Sequence, residues 1–441
     1  MMQGSTRWPV AWRSPATLAP LLAEHWGHAG LIWLDGDGTD LGRWATLAVD
    51  PVEQRCCRGL PGMESAQDPF AALADLGPGH WCGWLSYEAA AWVEPGNPWK
   101  ADSMASLWIA RHDPVLRFDL NEHQLWLEGQ DPERLQAMAS WLEGLPEDAS
   151  AGELTAPAVA PEHWHWHTNP QAFSRGVEQI RELIACGDLF QANLTACCST
   201  QLPAVGPLTG LALFQRLRRR CPAPFAGLVV ASGAAQGEAV ISASPERFLQ
   251  VSPEGVVETR PIKGTRPRHH HPQLDADAAA ELVCSGKDRA ENVMIVDLLR
   301  NDLGRSCVPG SIHVPQLVGL ESYAQVHHLT SVVCGQLRPD RSWVDLLRAG
   351  WPGGSISGAP KLRACQRLAE LEPVARGPYC GSLIRRDFDG SVDSSILIRT
   401  LLLQANALRG HAGCGIVADS DPSAEASELG WKLNPLLEAL A

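Results

Sequence analysis

Apolar residues fall at helical spacing in three stretches. Between Pro170 and Cys186, Phe173, Val177, Ile180 and Ile184 recur every three or four positions and the pattern stops at Gly187, which predicts an amphipathic helix. Ser285-Gly286-Lys287-Asp288 sets a serine three residues before an acid, the mark of a capped N-terminus, and opens a helix running towards Gly304. Asp421-Pro422 supplies an N-cap and an N1 proline for a last helix through Lys432-Leu433. A further helix is expected over Asp131 to Leu142. Elsewhere in residues 1–144, short apolar runs such as Leu31-Ile32-Trp33-Leu34 and Leu125-Trp126-Leu127 alternate with turn chemistry such as Asp35-Gly36-Asp37-Gly38, so this part reads as β-rich. A hairpin is expected at Asp389-Gly390, with strand Tyr379 to Phe388 before it and Ser391 to Leu401 after it. Residues 145–161 are rich in Pro, Ala, Glu and Gly with no apolar period and read as a linker, which leaves 162–441 as a second unit.

The polar residues that interrupt these patterns carry the chemistry. Glu291 shares a helical face with Met294, Ile295 and Leu298, and a carboxylate in an apolar stripe is costly unless a cation compensates it. Asp288, one turn earlier, lies on the same side, where it could equally serve the positive end of the helix dipole. Glu425, Glu428 and Lys432 form a second stripe, a pattern commoner on an exposed face. Two helices each presenting carboxylates three residues apart nevertheless suit a hard divalent cation such as Mg2+. Arg399, expected between Leu397 and Leu401 on a strand with Ile396 and Ile398 on its other face, would be buried and would need an anion, internal or supplied by a substrate. Gly413-Cys414-Gly415 reads as a glycine turn whose N–H groups could bind a carboxylate. The Gly353 to Lys361 loop is similar in kind, but its spacing is not that of a Walker A loop. Lys263 stands among Arg260, Arg266 and Arg268, between Pro261 and Gly264. Crowding by cations lowers a lysine pKa and is one route to an amine nucleophile at neutral pH, with a surface loop as the alternative.

Composition narrows the partners. A chain of 441 residues, 45% hydrophobic and 20% charged, is expected to be globular with more than a single small core. The net charge of −14 argues against nucleic acid and anionic membranes as partners. No apolar run reaches the ~18 residues that span a bilayer, and no secretory signal is evident, so the expected location is cytoplasmic. The 13 cysteines include no CxxC pair and read as reduced. His163, His165 and His167 would share one face of a strand, for which an exposed strand is a better account than a metal site. Gly36, Gly38 and Gly42 miss the GxGxxG spacing, so a hairpin turn is expected there.

Several ordered motifs then point one way. Ser244-Pro245-Glu246-Arg247-Phe248, Pro261-Ile262-Lys263-Gly264-Thr265, Lys287 to Asn292, Asp297 to Asp302, Gly354 to Lys361 and Gly413 to Asp419 together resemble the chorismate-utilising enzymes over roughly residues 165–441. The first 144 residues resemble them loosely, through Gly83-Trp84-Leu85-Ser86-Tyr87-Glu88. The resemblance implies an α+β fold, a large antiparallel β-sandwich flanked by helices, with both halves contributing strands and the site in the C-terminal half. Within the family, members that form anthranilate or isochorismate typically have alanine between Pro-Ile and Gly-Thr, whereas members that form 4-amino-4-deoxychorismate, on the way to p-aminobenzoate and folate, have lysine. Lys263 therefore implies covalent attack by its amine on chorismate, followed by ammonia. By the same resemblance Glu246 is the acid/base at the C4 leaving group and His328 an active-site histidine. Glu291 and Glu428 ligate Mg2+, with Asp288 and Glu425 reaching it through water. Tyr379, Arg399, the Gly413-Cys414-Gly415 backbone, Lys432 and Ser355 contact the substrate.

Two departures stand out: Ile384-Arg385 replaces the family's usual Gly-Tyr pair, and Leu34-Asp35-Gly36 replaces the Leu-x-Ser segment beside which some relatives bind tryptophan. No nucleophilic-elbow cysteine with a downstream His/Glu arrangement is evident, so a separate glutamine amidotransferase subunit is the expected ammonia source. The alternatives are an anthranilate-forming enzyme and a non-catalytic chorismate-binding subunit.

Overall fold

The computed structural model describes residues 5–152, 154–323 and 326–440. Every strand pairing in it is antiparallel, and the pairings build two large sheets. The first is 12-stranded. It starts at Thr6–Val10, runs through Gln124–Gly129, Val115–Asp119 and Trp44–Ala48 to Ile32–Asp35, and continues through Phe225–Val230, Glu238–Ser244, Thr400–Gln404, Ala407–Ile416 and Gln191–Gln201 to Gly358–Ala359. The join is direct, with Asp35 opposite Ala226 and Ile32 opposite Val229. The second sheet, 10-stranded, runs from Ile262–Pro267 through Val326–Gln336, Arg247–Val251, Val392–Ile396 and Ser382–Arg386 into His80–Leu85, with Ser382 opposite Leu85. Chain from before and after residue 145 is thus woven into both sheets.

The alternation along the strands explains the layering. In Thr400–Gln404, Leu402 enters the core between the sheets with Trp84, Trp108, Val240 and Ile396, while Leu401 and Leu403 enter a second core with Leu18, Phe173, Leu213 and Leu433 from the helices. The first sheet is therefore covered on both faces, by the other sheet and by helices, and its central strand Glu238–Ser244 is buried at every position. The expected helices form, with the expected caps at Ser285 and Asp421 and a further one at Asn169. Asn169 accepts from the Ala172 N–H ahead of Pro170–Ala185, Ser285 from Asp288 ahead of Gly286–Gly304, and Asp421 from Ser423 and Ala424 ahead of Pro422–Glu438. Asp35 to Gly42 is the turn between paired strands Ile32–Asp35 and Trp44–Ala48. All thirteen cysteines are free. Among the described residues, no helix is long and apolar enough to cross a membrane.

The hairpin differs from its expected form. Its strands are shorter, Ser382–Arg386 and Val392–Ile396, and after Ile396 the chain leaves the second sheet and enters the first at Thr400. Arg399 lies in that crossing, with φ of 51°, rather than on a strand between Leu397 and Leu401. One strand could not serve both sheets, and a left-handed residue makes the corner. Gly413 to Gly415 differs as well: it is the end of strand Ala407–Ile416, not a turn, because Gln191–Gln201 pairs with it along its whole length.

Candidate active site

Helix Gly286–Gly304 packs across strands Ile262–Pro267 and Val326–Gln336 and against the short turn Gly354–Ile356. This arrangement brings Glu291 to Lys263. The Nζ atom lies 2.7 Å from a Glu291 carboxylate oxygen, and the two side chains are 11% and 10% exposed. Lys263 is therefore the cation that a carboxylate in that apolar stripe requires. Its ammonium also donates to the Ser355 carbonyl at 3.3 Å. The strand is irregular at this point, its register shifting between Lys263 and Thr265. Gly264 there has φ of 79°, and a Cβ on it would meet Asp288 and Leu282 at 2.9 Å.

The arginines around Lys263 have other partners. Arg260 pairs with Glu321 at 2.6 Å, Arg266 with Glu281 at 2.9 Å and Asp288 at 3.5 Å, and Arg268 with Asp275 at 2.9 Å. The cationic crowding expected from sequence is thus neutralised arginine by arginine, by acids of the following helix and of strand His313–Ser322. The charge closest to Lys263 is instead negative.

Glu246 opens strand Arg247–Val251 and is 5% exposed. Burial pushes its carboxyl up to about 7, against the opposing pull of a hydrogen bond with Ser355, the charge of Lys263 and the Ile262 backbone. Ser355 thus touches both groups, Glu246 by its side chain and Lys263 by its carbonyl. His328 is held on Thr265, Oγ1 to Nδ1 at 2.9 Å, and burial with the Arg399 charge pushes it down to about 3, so the ring is neutral. Its Nε2 is buried with no partner among the described residues. Burial likewise holds Arg399 below the usual arginine value. No carboxylate pairs with Arg399 among the described residues, which leaves a partly buried guanidinium open to an anion.

The second acidic pair meets two more lysines. Glu425 takes Lys287 at 3.1 Å and the Ser420 hydroxyl at 2.7 Å; Glu428 takes Lys432 at 2.8 Å. Burial opposes the Glu428 charge, but Lys432, Lys287 and Lys263 hold it below the usual range. The Cys414 sulfur and one oxygen each of Glu425 and Glu428 lie within 4.8 Å of one another. Burial pushes the Cys414 thiol up to about 12, so the donors offered at neutral pH are carboxylate oxygens, a hard set. Asp288 is turned to Arg266 and to the backbone at Gly264.

Strand register accounts for the glycines. Gly413 stands opposite Thr195 and Gly415 opposite Asn193, yet Thr195 and Asn193 send their N–H groups the other way, to Glu372 at 3.0 Å and to the Ser357 carbonyl at 2.8 Å. These are non-hydrogen-bonded pairs, so the N–H and C=O of Gly413 and Gly415 point to the far edge of their strand. The neighbour on that edge, Thr400–Gln404, stops pairing at Gly410, and Lys432 donates to the Gly413 carbonyl at 2.9 Å. The result is an open backbone edge of the kind that could accept an anion, although no turn is present.

Tyr379 is 3% exposed and stacks on His411, ring centroids 4.9 Å apart, so it forms part of the wall behind the glycine strand. Of the departing pair, Ile384 is buried between the sheets and Arg385 turns to Asp387 at 3.5 Å. Residue types alone did not point to Gln191, Thr265 or Lys287. Gln191 is fully buried, with Nε2 3.4 Å from Glu291 and Oε1 without a partner among the described residues. Thr265 carried one available signal, its position two residues past Lys263 in the same run.

Gly415 presses on this arrangement, since a Cβ there would lie 2.3 Å from a Glu291 oxygen and 2.8 Å from Gln191 Nε2. Gly415→Ala is expected to push both side-chain ends aside. The fold should keep its stability to within about 1 kcal/mol, while turnover falls by about 10²-fold; a thermal melt beside a kcat measurement checks it.

A lysine, a near-neutral carboxyl, an arginine with no carboxylate partner among the described residues and outward-pointing backbone N–H groups, gathered beside convergent carboxylates, have the chemistry to hold a small polyanion. The chain belongs to the chorismate binding enzyme family, whose pattern matches residues 36–438. It is 39% identical to aminodeoxychorismate synthase component 1 of Klebsiella aerogenes over 346 residues, 78% of this chain and 73% of that protein. It is 34% identical over 453 residues to an anthranilate synthase component I-like protein of Synechocystis, 96% of this chain and 90% of that one. Its fold matches anthranilate synthase component I from Streptococcus pneumoniae with a TM-score of 0.75 and 27% identity, covering 90% of this chain and 92% of that one.

Proposed function

We propose that the protein is an aminodeoxychorismate synthase component I, which converts chorismate and ammonia to 4-amino-4-deoxychorismate. The observation that supports this most is the placing of Lys263: a primary amine with a carboxylate acceptor, Glu291, at 2.7 Å, and with Glu246, whose pKa is about 7, sharing Ser355 with it. Lys263 loses a proton to solvent before it attacks, which leaves Glu291 an anion able to serve as a ligand. The free amine attacks C2 of chorismate, both ring double bonds shift (C1=C2 to C1=C6 and C5=C6 to C4=C5), and the C4 hydroxyl leaves as water with a proton from Glu246. Ammonia then adds at C4, both double bonds return, the lysine leaves C2, and the surplus proton of the new ammonium goes back to Glu246. Arg399 and the N–H groups of Gly413 and Gly415 hold the substrate carboxylates, with Lys432 beside them, and Tyr379 backs that wall. Neutral His328 presents Nε2 beside Arg399. Glu291 and Glu428 would hold Mg2+, with Asp288 and Glu425 outside them, and the ion would supply Lewis-acid charge to a ring carboxylate.

Ammonia would come from a separate glutamine amidotransferase subunit, and the reaction would be cytoplasmic. The anthranilate synthase-like relatives keep the formation of anthranilate as the second reading. Purified protein with chorismate, Mg2+ and ammonium separates the two: 4-amino-4-deoxychorismate by mass spectrometry is the expected product, and fluorescent anthranilate as the main product overturns the proposal.

A further inference from the structure

Arg376 is 1% exposed and lies outside every motif that marks the site. All three of its guanidinium nitrogens are in use. Nε and Nη2 grip the Glu372 carboxylate at 2.9 and 2.6 Å, Nη1 donates to the Ile356 carbonyl at 2.7 Å, and Nη2 donates also to the Asn193 carbonyl at 2.7 Å. The guanidinium lies 4.4 Å over the Tyr87 ring. Glu372 in turn accepts the Thr195 N–H at 3.0 Å. The carbonyl and carboxylate contacts of the guanidinium lead to two walls. Ile356 follows Ser355, which touches both Lys263 and Glu246. Asn193 and Thr195 stand opposite Gly415 and Gly413, whose N–H groups edge the other wall.

We propose that Arg376, locked to Glu372, is a positioning residue that sets the spacing between the wall carrying the reacting side chains and the wall carrying the backbone anion site. A planar fork can hold two carbonyls and a carboxylate in one geometry, and a lysine ammonium cannot. What binds at the glycine edge rests on the function proposed above; the spacing itself does not. The two walls hold opposite ends of one small substrate, so a shift of about 1 Å between them costs about 10²-fold in rate.

The test uses the full chain and scores chorismate consumption relative to wild type, whichever product forms, with equilibrium chorismate binding and thermal melts alongside. Arg376→Lys is expected to stay folded and to lose about 10²-fold in kcat, while chorismate affinity changes by less than about threefold because each wall keeps its own contacts. In a cycle with Ser355→Ala, the two losses should fall short of additive, since Arg376 acts through that turn. Arg117→Lys, at a buried ion pair with Asp387 elsewhere in the sandwich, is the control for lost stability and should keep its kcat. Unchanged kcat in Arg376→Lys overturns the proposal, as does an equal loss in Arg117→Lys or full additivity with Ser355→Ala. Should Arg376→Lys not fold, Glu372→Gln, which loosens the same grip, is expected to lower kcat at least tenfold, and wild-type turnover there overturns the proposal equally. A wild type that consumes chorismate but yields another product refutes the proposed function and leaves this series intact.

Discussion

Lys263→Ala is expected to lose at least about 10³-fold in the formation of 4-amino-4-deoxychorismate, the scale on which removal of a covalent nucleophile acts. The substitution also removes the cation 2.7 Å from Glu291, so a second variant is needed to separate chemistry from charge. Lys263→Arg retains a positive charge opposite Glu291 and offers no nucleophilic amine at neutral pH. Both variants should be inactive, with the arginine form more stable to heat. Intact mass after incubation with chorismate in the absence of ammonia should show an adduct on the wild type and on neither variant. Recovery of the wild-type rate in Lys263→Arg would reduce the lysine to an electrostatic partner, and undiminished product from Lys263→Ala would remove the covalent step altogether.

Glu246→Gln is expected to cost about 10²–10⁴-fold in kcat, the usual range for a positioned acid. The pH dependence gives the sign. Burial raises the Glu246 carboxyl to about 7, so it carries its proton below that pH, and wild-type kcat should fall as pH rises through 7. The residual activity of the glutamine variant should lack that limb. Stability moves the other way. The folded pKa lies above the unfolded one, near 4.3 to 4.5, so the wild type loses stability as pH climbs from there through 7. Glutamine has no proton to lose, and the variant should gain on the order of 1 kcal/mol over wild type at pH 8 while the two converge near pH 4. Denaturant melts at the two pH values, beside the pH–rate profile, check both halves. A variant less stable than wild type at pH 8 would mean that the carboxyl is not held protonated by burial.

Legibility in the sequence followed the range of the interaction. Helix starts were readable because a cap is a matter of three or four neighbouring residues, as at Ser285 and Asp421. The demand that Glu291 makes for a cation was readable from its own helical stripe, but not that Lys263, 28 residues earlier on a strand, meets it. The arginines beside Lys263 misled because the acids that neutralise them, Asp275 and Glu281 of the next helix and Glu321, meet them only once the helix packs on the strand. Gly413 to Gly415 looked like a turn because glycine permits one; ten-residue pairing with Gln191–Gln201 made it a strand.

Residue order was therefore enough to mark the helices, the family and the candidate reactive groups, because motifs and amphipathic periods are local properties. Tertiary structure decided the surroundings of each group. The buried pKa of Glu246, the open edge at Gly413 and Gly415, the left-handed corner at Arg399 and the grip of Arg376 on two walls depend on strand register and on desolvation. Those are set by segments up to a hundred or more residues apart, and only the closed sandwich brings them together.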